Sequence, residues 1–272
     1  MIQPAFPPEV QAVLGDIYRV TMPEQGATSQ VWIIECAAGM RVVKYANRTP
    51  YIDWLMQEGA VLSGFNSTSF LNTATDKLKF PFPKLYLNGA TQAYEKPIPY
   101  LVIDWLPGKP LSTVMSGESD PERRLRWMNL FGEILRKVHD FPGTGCTHKL
   151  WLEERLRTAA AYIEAGFELD ADDPPHLLEY LLTNRPGIVP QTLIHGDFMW
   201  DNVLVQDDQI TGIVDWGGAA YGDPRYDLAL AILPHEDGEI SDAEVAAFYA
   251  GYGRDPLTES EYRYFTSLYE FF

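Results

Sequence analysis

The chain of 272 residues predicts an α+β fold, with a β-rich first lobe over residues 1–105 and a mostly helical second lobe over 106–272. Three observations carry that expectation. Short β-branched runs between turn residues fill the first third, and longer segments with apolar residues at helical spacing fill most of the rest. Leu106-Pro107-Gly108-Lys109-Pro110 breaks the chain between the two patterns. A content of 46% hydrophobic and 13% aromatic residues is enough to bury a sizeable core.

Taken in order, Pro8 to Gly15 reads as a short leading helix and Ile17 to Thr21 as the first strand. Met22 to Ser29 is a turn, and Val31-Trp32-Ile33-Ile34-Glu35-Cys36 is the second strand. Ala37-Ala38-Gly39 turns the chain into a third, Met40 to Tyr45. Tyr51 to Phe65 sets Ile52, Leu55, Met56, Ala60 and Leu62 at helical spacing, with Glu58 among them. Phe80 to Tyr86 and Pro99 to Asp104 are expected as two more strands. Asp120-Pro121-Glu122 then opens a helix, with a capping carboxylate and proline at the first position. That helix lines up Leu125, Met128, Phe131, Ile134, Leu135 and Val138, and His139 at its end reads as a core or capping histidine. Further helices are expected over Lys149 to Gly166, His176 to Leu182, Ala243 to Tyr252 and Glu259 to Tyr269.

The formal net charge is −17 and is unevenly placed: from Asp197 onward there are sixteen Asp or Glu against three Arg. Such a field disfavours nucleic acid and steers cationic small molecules inward, although an acidic surface also serves solubility alone. No apolar run approaches the length that spans a bilayer, and the start lacks the basic end and apolar centre of a signal peptide. With only Cys36 and Cys146, no disulfide framework is expected, and a reduced cytoplasmic protein fits. Cys146-Thr147-His148 lacks the four ligands of a zinc site.

The chemistry gathers in His195-Gly196-Asp197-Phe198-Met199-Trp200-Asp201-Asn202 and the residues that follow. Val203-Leu204-Val205 and Ile210-Thr211-Gly212-Ile213-Val214 flank the polar turn Gln206-Asp207-Asp208-Gln209, a hairpin pattern. Folding about Asp208 is expected to return Asp215 to the end of the ribbon where Asn202 lies. Two oxygen ligands side by side suit a hard cation such as Mg²⁺. Asp197, upstream, is left to accept a proton. Singly, an Asp caps backbone N–H groups and an Asn makes a turn. The ordered set points to phosphorylation of a hydroxyl.

His195-Gly196-Asp197, Asn202, Asp215-Trp216 and Gly222-Asp223-Pro224-Arg225-Tyr226-Asp227-Leu228-Ala229 together resemble the aminoglycoside phosphotransferase family. That family includes choline, homoserine, methylthioribose and fructosamine kinases, and its fold is similar to that of protein kinases. The resemblance implies a bilobal protein-kinase-like fold and transfer of the γ-phosphoryl group of ATP, or GTP, with Mg²⁺, to a small-molecule hydroxyl. Trp216-Gly217 stands where protein kinases have the Phe-Gly of their metal motif. Asp197 is then the base, and Asn202 and Asp215 are the metal ligands. Lys44, on the third strand, is the lysine that orients the α- and β-phosphates, with Glu58 of the next helix as its partner. Gly26-Ala27-Thr28-Ser29 maps to the loop over the phosphates, with Thr28 at the hydroxyl position; a bare hairpin turn looks the same. Leu101 to Gly108 resembles the strand and linker that hold adenine, with Ile103 behind the base and the Asp104 carbonyl and Leu106 amide at its edge. His195 is implied as loop support, and Asp223 and Asp227 as braces and caps, one of them pairing with Arg225.

Within the family, an aminoglycoside or other cationic antibiotic is the favoured acceptor, and choline, an amino-sugar or homoserine the alternative. Asp170, Asp172, Asp173, Glu236, Asp237 and Glu239 either bind amines or face water. A catalytically silent nucleotide-binding protein would have lost the base, a metal ligand or the lysine, and all are present. A protein kinase would carry an Ala-Pro-Glu element and a long activation segment after Asp215, which this chain lacks.

Overall fold

The computed structural model describes residues 6–23, 29–67, 80–91, 97–141, 151–167, 169–234 and 240–272. In chain order the elements begin with α1 (Pro8–Leu14), β1 (Ile17–Thr21), β2 (Gln30–Cys36), β3 (Gly39–Tyr45) and α2 (Tyr51–Phe65). Next come β4 (Leu85–Thr91), β5 (Ile98–Asp104), β6 (Lys109–Pro110), α3 (Leu111–Gly117), α4 (Pro121–His139), α5 (Trp151–Ala165) and α6 (Pro174–Thr183). The last are β7 (Thr192–Ile194), β8 (Val203–Gln206), β9 (Gln209–Ile213), β10 (Ala220–Gly222), α7 (Pro224–Leu230), α8 (Asp242–Tyr252) and α9 (Glu259–Tyr269). The α+β reading therefore holds. The chain divides into two compact units. One comprises Met1–Thr75, Pro81–Lys109 and Leu204–Ala219; the other comprises Asp76–Phe80, Pro110–Val203 and Ala220–Phe272. Leu204–Ala219 groups with the β-rich unit, whereas a single cut at residue 105 assigns it to the second lobe.

In the first unit, five antiparallel strands form one sheet in the order β1-β2-β3-β5-β4. Strand parity sorts its faces. Val43 lies opposite Val102 and joins Val10, Leu14, Ile34 and Tyr100 in the core that includes α1. Lys44 is one residue on, opposite Val31 and Leu101, so it points to the other face. Helix α2 buries Leu55, Glu58, Gly59 and Leu62, spaced as one helical stripe. The strand expected over Phe80–Tyr86 instead begins at Leu85 and runs to Thr91. Pro81 and Pro83 have no N–H to give a ladder, which leaves 80–84 irregular. The hairpin of β8 and β9 turns on Asp207 and Asp208, with φ of 50° and 57°, the paired positive values of a tight two-residue turn.

The second unit is built around α4, whose cap Asp120 accepts from Glu122 N at 3.0 Å. Met128, Phe131, Ile134, Leu135 and Val138 are buried, and Leu125 is only partly covered. A second core joins Trp151, Leu156, Ile194, Tyr226, Phe265 and Leu268. Helices α8 and α9 both open with capping boxes, Ser241 with Glu244 and Thr258 with Glu261. Strands β7 and β10 pair antiparallel, Ile194 opposite Ala220. At three residues each they are too short to show a period in sequence, and α3 was equally silent. Cys36 is a buried thiol with Sγ 3.0 Å from Gly39 O, while Cys146-Thr147-His148 lies outside the described residues. Among the described residues no helix is long and apolar enough to cross a membrane.

Helices α4 and α8 approach so closely that each needs glycine at the contact. A Cβ on Gly132 would overlap the Phe248 carbonyl oxygen, and one on Gly251 would overlap that of Asn129. Backbone cannot yield there as a flexible side chain would. Gly132→Ala or Gly251→Ala should each cost about 2 kcal/mol of stability, read by urea unfolding. An unchanged midpoint would show that the helices do not meet at these residues.

Candidate active site

In the first unit, Lys44 Nζ donates to both carboxylate oxygens of Glu58, at 2.9 and 3.0 Å, and to Asp215 Oδ1. Lys44 and Glu58 are 5% and 4% exposed, whereas the Asp215 side chain is 53% exposed. Burial by itself would lower the Lys44 ammonium. The Asp215 and Glu58 carboxylates outweigh burial and hold it well above its ordinary 10.5. Asp215 follows β9 in the left-handed region, at φ 61° and ψ 57°, before a 3₁₀ turn over Trp216–Gly218. Such a conformation is costly for a residue with a Cβ and persists where the surroundings impose it. Here the anchor is Trp216, fully buried, with Nε1 donating to Ile213 O at 2.9 Å and its ring edge-on to Phe65 at 4.9 Å.

The positions assigned to the nucleotide base lie in the same unit. Ile103 is 2% exposed. Asp104 ends β5, its N–H donating to Lys84 O at 2.9 Å and its carboxylate accepting from Tyr86 Oη at 2.8 Å. Leu106 packs on Gly212, where an added Cβ would stand 3.1 Å from Leu106 Cβ. Thr28 lies outside the described residues.

In the second unit, Asp197 sits on the loop after β7. Asn202 Nδ2 donates to both its carbonyl oxygen and its Oδ2, each at 2.8 Å. Tyr269 Oη donates to Oδ1 at 3.0 Å. The loop itself is held by Asp227, which is fully buried and accepts from His195 N at 2.6 Å and Gly196 N at 2.8 Å. His139 Nε2 stands 3.0 Å from Asp227 Oδ2, and its Nδ1 meets Tyr252 Oη at 2.8 Å, so it is a core histidine. It is the backbone N–H of His195 that is held, by Asp227, and its ring lies edge-on to Phe198 at 5.9 Å. Asp223 caps α7, accepting from Arg225 N at 3.0 Å, and its two oxygens take the Arg225 fork at 3.0 and 2.7 Å.

The donor types on hand fit a hard cation. Asn202 commits its amide nitrogen to Asp197, so its oxygen is the atom it offers a metal. Asp215 offers a half-exposed carboxylate. Each thus presents oxygen, the kind of donor atom that Mg²⁺ prefers. One residue beside Asp197 was not foreseen from sequence. Tyr269 falls on the apolar stripe of α9 with Phe265 and Leu268, and reads there as plain core.

The model of the phosphotransferase enzyme family matches residues 20–265. An aminoglycoside 3′-phosphotransferase of Niallia circulans is 30% identical over 203 residues, which is 71% of this chain and 74% of that protein. A homoserine kinase of Neisseria meningitidis serogroup B is 35% identical over 150 residues, 49% of this chain and 46% of that one. The crystal structure of an aminoglycoside 3′-phosphotransferase of type VIII superposes with a TM-score of 0.75 at 23% identity, over 97% of both chains, a likeness of fold.

Lys44→Met would leave the Glu58 carboxylate buried without its cation. A loss of about 3 kcal/mol at neutral pH is expected in thermal unfolding. In the parent protein the folded Lys44 titrates above its ordinary 10.5, so the contribution of the pair is complete below that pH. It is lost as pH rises through the raised value. The variant should lack this alkaline loss; if it keeps it, another group is responsible.

Proposed function

The chain belongs to the phosphotransferase enzyme family and is a small-molecule kinase with a hydroxyl acceptor, and from that premise we propose that its donor is ATP and its acceptor a cationic molecule of aminoglycoside type. Lys44 takes the α- and β-phosphates. A buried ammonium already oriented by Glu58 needs no reorganisation to meet an anion. The Asp104 carbonyl and Leu106 amide serve the edge of the base, with Ile103 behind it and Thr28 over the phosphates. Asn202 and Asp215 hold Mg²⁺, which when bound supplies neutralisation of phosphate charge. Asp197 orients the acceptor hydroxyl and takes its proton as the phosphoryl group moves directly across. Use of ATP places the enzyme in the cytoplasm.

The acceptor reading is supported by acidic residues of the second unit, Asp170 and Asp172, whose charges act on Glu270. Burial first, then Asp170 and Asp172, push the Glu270 carboxyl above its usual range. Asp170 also acts on Tyr269, the neighbour of Asp197. Carboxylates crowded in this way are relieved by a cation, and an ammonium group on the acceptor provides one. The match to a homoserine kinase favours a second reading, a small amino acid bearing a hydroxyl, whose ammonium group meets the same carboxylates although its own carboxylate leaves it without net charge.

Purified protein with Mg-ATP and a panel of kanamycin, other aminoglycosides, choline and homoserine tests this. ADP release with an aminoglycoside is expected. Release with homoserine alone would move the acceptor to the second reading, and absence of both release and nucleotide binding would remove the donor assignment. Asp197→Ala should lower turnover on the order of a thousandfold while ATP affinity is kept; retained turnover would rule Asp197 out as the base. Glu270→Gln, or added salt, should raise KM for a cationic acceptor severalfold. A KM indifferent to both would show that charge does not draw the acceptor in.

A further inference from the structure

Helix α9 ends on Tyr269, whose hydroxyl donates to Asp197 Oδ1 at 3.0 Å and stands 3.3 Å from Met199 Sδ. The other carboxylate oxygen, Oδ2, is taken by Asn202 at 2.8 Å. The terminal torsion of an aspartate is broad, so one hydrogen bond leaves the plane of the group able to swing. Two donors from two different elements, one on each oxygen, stop that rotation. Each carboxylate oxygen has a second lone pair, so neither bond removes the capacity to accept a proton.

The frame behind Tyr269 is rigid. Arg225 on α7 donates to Glu261 on α9 at 2.8 Å, and Asp227 on the same α7 braces the backbone of the Asp197 loop. The loop and the tyrosine are therefore referred to one helix. The Tyr226 ring, also on α7, lies 6.4 Å from that of Tyr269. Burial, then Asp197, Tyr226 and Asp170, hold the Tyr269 hydroxyl far above its ordinary value, so it remains a donor.

We propose that Tyr269 is a positioning residue that fixes the carboxylate plane of Asp197 for receipt of the acceptor proton. This rests on the reading of Asp197 as the base. General-base catalysis depends first on geometry, and a hydroxyl donor on Oδ1, opposite the Asn202 donor on Oδ2, supplies it. Tyr269 acts through Asp197 and does not touch the reacting atoms.

Tyr269→Phe keeps the ring and deletes the clamp. A double-mutant cycle with Asp197→Ala, read by urea unfolding, measures the bond without any turnover. The tyrosine change should raise the unfolding constant about tenfold more in the parent than in the Asp197→Ala background. Turnover of Mg-ATP is then read with kanamycin, or with water where kanamycin is not phosphorylated. Tyr269→Phe should lower kcat about tenfold with KM for ATP unchanged, a split that a purely structural role would not produce. Zero coupling would overturn the proposal, and so would coupling with kcat unchanged or raised, which marks a structural hydroxyl or one that competes with the acceptor. Asp197→Ala turnover is scored separately, so failure of the base assignment is not mistaken for failure of the clamp.

Discussion

The second unit depends on one buried carboxylate. Asp227 has no exposure to solvent, and it meets that cost by accepting from two successive backbone N–H groups and bonding a histidine. Through it, α7 holds the loop after β7, and His139 ties α4 and α8 to the same point. Removal of such a group leaves three polar partners buried without their acceptor. The loop that carries Asp197 is fixed from beneath, by backbone, and its outward side chain is then aimed by Asn202 and Tyr269. An aspartate on an untethered loop would spend most of its time elsewhere.

The first unit solves a related problem with charge. Sheet parity turns Lys44 away from the α1 core and toward the face opposite Val43, and the helical stripe of α2 presents Glu58. Burying this pair is poor economy for stability alone, since apolar side chains of the same volume often do as well. Asp215 is held in a left-handed conformation on the same ammonium, so three charged groups are gathered at one point of the unit. The Asp215 carboxylate is the half-exposed member of the trio.

Much of this was legible in the chain. The strands around Lys44, the helix holding Glu58, the hairpin on Asp207 and Asp208 and the capped start of α4 are all set by local chemistry: β-branched alternation, helical spacing, turn residues and a carboxylate before proline. The strand placed over Phe80–Tyr86 failed for a local reason that was also legible, since two prolines cannot serve a ladder and the strand begins at Leu85. Strands β7 and β10 left no local signal at all. Three residues carry no period, and their pairing is a long-range event.

By itself, the sequence determined which candidate groups the chain carries and in what order: Lys44, Glu58, Asp197, Asn202, Asp215, and the Asp223 to Asp227 segment. It also determined the elements that bear them, because propensity and periodicity act over a few residues. Tertiary structure alone decided which groups restrain which. That Asp227 receives the loop backbone, that Arg225 reaches Glu261, and that Tyr269 closes on Asp197 are contacts between residues 31 or more positions apart. Their side chains read locally as caps and core. Only packing of α7 and α9 against the loop gives them partners, and hydrogen bonds are short enough that a shift of one helix turn would abolish each of them.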